Sequence, residues 1–360
     1  MKRLAFLIIL TAVALSAVTV SSEETSFDLR GLLPDEISEE MPDSYFYGNE
    51  NGEAELPDAE FIFGYALKAV KTIIPGTAKS MALILGISLI ASMVNVISSS
   101  FSETTAKAVC FISSLCVCGA SYSVLSDVFS GICEYIETLH VFINGFMPVM
   151  TGAIALSGNI TTASVTGIMI SLALTILEAL SNGVLFLLLK VCFCFSITTV
   201  IPGTLSLGEI SALIKRVLTH VLAFIMLVMS VVTAYQTLLS KSADNAIMKG
   251  IRFAAGSYIP VIGNSVGESL SLIASGLSTV RAATGAAGCA VIAVMLIIPM
   301  IRVIFYRLAF DLCSAISGIT GLTKEGAFMR EMSSLAGFGL AIMTISSVFF
   351  MLLAVIATKV

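Results

Sequence analysis

Few residues in this chain can do chemistry, and they are oddly placed. Glu178, Lys190, Arg302, Arg307 and Asp311 stand in or beside runs of Leu, Ile, Val, Phe and Met, and His140 and His220 add two groups that titrate near neutrality. A charge among apolar residues is costly to desolvate, so its presence points to a polar partner, a wet cavity or a permeation path. Glu178 and Lys190 flank Ser181-Asn182-Gly183. That turn former predicts a hairpin with the two charges facing across it, Lys190 snorkelling toward its end. Arg307 and Asp311 are four apart, which puts both on one helix face. Such pairs either satisfy each other near helix ends or line a path.

Other patterns carry less. Gly263-Asn264-Ser265-Val266-Gly267 has the letters of a nucleophile elbow, but that motif needs a strand entering a sharp turn before a helix. In an apolar stretch the same spacing allows close helix approach or a membrane break. Cys116-x-Cys118 and Cys192-x-Cys194 lie among Phe, Val and Leu without His or carboxylate neighbours, which reads as packing. No Walker sequence, His-Glu-x-x-His or Cys/His cluster is present, so neither an enzyme nor a cofactor is expected. Any energy input must come from a gradient or a separate partner.

The elements that must position these groups are membrane helices. The chain is 57% hydrophobic and 12% charged, against roughly a quarter charged in soluble domains. Apolar runs long enough to cross ~30 Å of hydrocarbon recur at 81–97, 108–129, 141–156, 163–180, 184–201, 217–239, 258–276, 284–300, 303–319 and 336–357. The runs at 141–156 and 258–276 hold central prolines and small or polar residues, so they either span or are re-entrant. The fold class is an all-α polytopic transmembrane bundle. Its bases are scattered rather than gathered into a patch, which excludes a nucleic-acid interface and leaves the lipid bilayer as the surroundings.

The amino terminus has the grammar of a secretory signal peptide over 1–22, with Lys2 and Arg3 before an apolar core and small residues after it. Thirteen of the 24 acidic residues then fall between Glu23 and Glu60. Segment 23–60 is expected to be a solvated extracytoplasmic arm. Residues 61–80 read as an interfacial amphipathic helix ending at Pro75-Gly76, and 81–140 as the first membrane helices.

The remainder suggests an internal duplication. A shift of 118 residues carries Thr166-Gly167 onto Thr284-Gly285, Ser196 onto Ser314, Gly203 onto Gly321 and Gly208 onto Gly326. Unit 1 would cover 141–239 and unit 2 258–357, in parallel or inverted orientation, with binding sites and moving parts where the repeats meet. Pro75, Gly76, Pro148, Pro202, Gly203, Pro260, Gly263, Gly267 and Gly321 are the expected helix breaks or hinges.

A signal peptide, an acidic outer segment, the breaks "IIPGT", "VIPGT" and "GITGLTKEG", and many moderately apolar helices together resemble the stage III sporulation protein AE family of endospore-forming bacteria. The resemblance covers essentially the whole chain and brings no catalytic residues. It implies a multi-pass protein of the mother-cell membrane around the forespore. It further implies membership of the stage III A complex, with the other stage III A proteins as partners and, indirectly, the forespore stage II protein Q, the assembly acting as a channel or feeding apparatus. A self-sufficient secondary transporter using its intramembrane charges, and a membrane scaffold, are the alternatives.

Overall fold

The computed structural model describes the backbone of residues 59–98, 100–156, 159–182, 184–200, 210–221 and 263–359, with isolated positions between 223 and 234. The expected signal peptide 1–22 and nearly all of the acidic arm lie outside the described residues, as do Pro202, Gly203 and Pro260. The described chain is helical: α1 (Ala59–Ser98), α2 (Glu103–Leu156), α3 (Ile160–Asn182), α4 (Val184–Ile197), α5 (Gly263–Ile319) and α6 (Thr323–Lys359), with a further helical segment at 210–221. Among the described residues, four stretches are long and apolar enough to cross a membrane, Gly64–Ser98, Glu103–Leu156, Ala287–Ile319 and Thr323–Ala354.

The helices are longer than the sequence runs suggest. The boundary expected at 80/81 falls inside α1, which continues through Pro75 and Gly76, and the boundary at 140/141 falls inside α2, which continues through Pro148. The runs 284–300 and 303–319 likewise join in α5 across Pro299, with Gly263 and Gly267 forming its first turns. Proline removes one donor but does not end a helix whose neighbours pack on both sides of it. In α2 the reason is visible in the buried side: Val117, Ser121, Val124, Val128, Ile132, Tyr135, Leu139, Phe142, Phe146, Met150 and Ile154 recur every three or four residues without interruption. The stretch 130–140 lies between two apolar runs because its outer face carries Glu134 and Glu137, yet its inner face keeps the same buried spacing.

Contacts fix the directions. Ser114 bonds Glu325 (2.6 Å), Ser121 bonds the Met329 sulfur (3.6 Å) and Tyr135 bonds Ser347 (2.5 Å), so α2 and α6 run parallel. Gly131 lies against Arg302 and Gly288 against Phe146, so α5 runs antiparallel to α2. Gly167 lies against Thr151, Ser171 against Met147 and Phe193 against Tyr122, so α3 and α4 both descend along α2 in one direction. The chain therefore does not double back at 181–183, and the expected hairpin is not formed.

One true reversal is the α5–α6 turn. Gly321 has φ 78°, and Leu322 N–H bonds Ser317 C=O at 2.9 Å, which is the Schellman arrangement that favours glycine because it lacks a Cβ. Ser92 on α1 reaches Thr320 at 3.0 Å and holds that turn in place.

Candidate functional site

The charged side chains gather beside the middle of α2. Asp127, Glu134 and Glu137 all emerge from its exposed side, although none of the three stood among the sequence candidates. The signal was present as three acids within eleven residues, but it was hidden by dividing one helix into two.

A cavity of about 780 Å³ opens between α1, α2 and α5. One face of α1 lines it through Tyr65, Lys68, Thr72, Gly76 and Ser80, spaced at three to four residues as a single helix face requires, with Thr77 beside them. Asp127 of α2 and Arg302 and Tyr306 of α5 complete its polar wall. Thr72 and Thr77 each donate their hydroxyl to a carbonyl one turn back, Lys68 C=O at 3.1 Å and Ile73 C=O at 2.9 Å. Their oxygen lone pairs remain available as acceptors. Arg302 reaches α2 at Gly131, where an added Cβ would lie 3.8 Å from a guanidinium nitrogen. Among the described residues it forms no ion pair with Asp127.

A second cavity, of about 520 Å³, lies between α2 and α4. Lys190 faces Cys133, Glu134 and Glu137 there. Lys190 thus stands beside acids of α2; the side chain of Glu178, its expected partner, lies outside the described residues. Of the Cys-x-Cys pairs, Cys118 and Cys192 are buried in the core while Cys116 and Cys194 are exposed, and all four are free thiols.

Arg307 and Asp311 share α5 but are not joined. Arg307 lies across α6 at Gly337, where an added Cβ would sit 3.0 Å from a guanidinium nitrogen, and Asp311 is exposed. The ion pairs between described residues are Glu103–Lys107, which is exposed, and Lys215–Glu331. The second ties segment 210–221 to α6, with Ser334 Oγ 3.5 Å from the Lys215 ammonium. Nothing local in the sequence marks Lys215, since its acid lies more than a hundred residues away.

The family model described as stage III sporulation protein AE matches residues 44–360. A curated relative, stage III sporulation protein AE of Bacillus subtilis (strain 168), is 20% identical over 229 residues, a match covering 62% of this chain and 57% of the relative's length. No solved structure matches. With the match running through every described helix, the chain belongs to the stage III sporulation protein AE family.

Proposed function

We propose that this protein is a non-enzymatic, multi-pass subunit of a sporulation transport or channel complex linking mother cell and forespore. The observation that carries the reading is a family match that includes all of the long apolar helices. In this reading the chain sits in the mother-cell membrane around the forespore, with segment 23–60 on the extracytoplasmic side. It works with the other stage III A proteins and, through them, with the forespore stage II protein Q. Charged groups lining two cavities between apolar helices support participation in passage rather than scaffolding alone. A common descent of α3–α4 and α5 along α2 supports a duplication whose copies, 141–239 and 258–357, are parallel rather than inverted.

The test is affinity purification of the tagged full chain from sporulating cells, solubilised in mild detergent. Recovery of the other stage III A proteins is expected. If none is recovered while the tagged chain is intact and membrane-inserted, the reading fails. Solute uptake into liposomes by the purified chain alone would replace it with a self-sufficient transporter.

A further inference from the structure

We infer that the cavity between α1, α2 and α5 is a binding site for a small zwitterion, with Arg302 taking the anionic end and Asp127 the ammonium. The inference rests on unused charges of opposite sign. Asp127 and Arg302 both line the cavity, and neither has a hydrogen bond or ion pair among the described residues. Both side chains are exposed to the cavity, so each charge is open to a ligand. The two charges stand apart in the wall, with Arg302 meeting α2 at Gly131, four residues (about 6 Å) beyond Asp127. A small molecule with an anionic group and an ammonium one or two carbons apart can reach both charges at once.

The remaining lining supplies matching hydrogen-bond roles. Tyr306 is buried, lines the cavity and has no hydrogen-bond partner among the described residues, so its hydroxyl can donate to a carboxylate. Thr72 and Thr77 have spent their protons on α1 carbonyls, so they can only accept, as an ammonium requires. Two sources fit this chemistry, a soluble amino acid and the phosphoethanolamine headgroup of a lipid.

The test uses the full chain in nanodiscs and tritiated glycine as probe, read by scintillation proximity. Saturable binding is expected, displaced by unlabelled alanine at least tenfold better than by acetate or methylammonium. Asp127→Asn and Arg302→Gln should each weaken glycine binding at least tenfold with thermal stability retained, and the charge-swapped double variant D127R/R302D should recover part of it. Discs of phosphatidylglycerol alone and discs containing phosphatidylethanolamine separate the sources. Glycine binding lost only with phosphatidylethanolamine assigns the site to the headgroup, and binding unchanged assigns it to a soluble solute. No saturable binding in phosphatidylglycerol discs, acetate competing as well as alanine, or D127N leaving affinity intact would each overturn the proposal. The complex-subunit reading fails or stands separately, because it is decided by co-purification and not by glycine.

Discussion

Replacing either member of the Lys215–Glu331 pair should destabilise the protein unequally, and the inequality follows from burial. The Lys215 side chain is 9% exposed and that of Glu331 29%. In Glu331→Gln the ammonium stays buried with a neutral amide and a distant Ser334 hydroxyl as partners, a loss of about 3 kcal/mol. In Lys215→Met the stranded carboxylate lies closer to water and can hydrate, and the cost falls to about 1–2 kcal/mol. Replacing both with apolar side chains, K215M/E331M, removes the two desolvation penalties together and should lie near the native protein. At about 2 °C per kcal/mol for a chain of this size, E331Q should melt about 6 °C lower and K215M about 3 °C lower. With Cys110, Cys116, Cys133 and Cys194 replaced, the core cysteines provide the assay, since Cys192 and Cys313 are fully buried and become reactive to a fluorogenic maleimide only as the fold opens. Equal losses, a larger loss in K215M, or a double variant as unstable as the sum of the singles would refute the reasoning.

Four further outcomes are expected. Gly288→Ala places a Cβ 2.4 Å from Phe146 Cζ and should cost about 2 kcal/mol by the same thermal assay, with Phe146→Leu restoring most of it in the double variant. Tyr135→Phe should cost only about 1 kcal/mol, because Ser347 keeps its 2.7 Å bond to Met343 C=O after the phenol is gone. Gly321→Ala forces a side chain into φ 78° and should lower stability by about 1 kcal/mol, measured as a shift in melting temperature. With the other cysteines replaced, Cys133 beside Glu134 and Glu137 should label with a membrane-impermeant maleimide in intact proteoliposomes, whereas Cys116, exposed on the apolar part of α2, should label only with a lipid-permeant one.

The class of fold was legible because composition decides it: apolar runs of spanning length leave a helical membrane bundle as the consistent solution. Where helices end was much less legible. Pro75, Pro148 and Pro299 carry the local signal of a stop, yet each lies inside a helix because its buried neighbours continue in register on both sides. Gly321 does mark a stop, and the difference is that Leu322 can close back on Ser317 there. Of the candidate charges, Lys190 and Arg302 line cavities, and the groups they meet there depend on helix direction, which no local pattern encodes. A tight turn predicted a reversal at 181–183 where α3 and α4 keep one heading along α2. Lys215 and Glu331 were invisible as a pair for the same reason, being joined only by the packing of distant segments.

Helix length also limits where the bilayer can lie. At 1.5 Å per residue, the 54 residues of α2 extend about 81 Å, and even a 40° tilt leaves about 62 Å along the normal. Hydrocarbon plus headgroups spans only about 45 Å, so part of α2 stands outside the membrane. Centring the hydrocarbon on the helix middle would immerse exposed Asp127, Glu134 and Glu137 at about 3 kcal/mol each. Residues 108–126 carry no charged side chain, and 141–156 carry none either. Either stretch fits the hydrocarbon far more cheaply. The acids of α2, with Lys190, Arg302 and both cavities, therefore belong at a membrane boundary, where water, solutes and lipid headgroups all reach them.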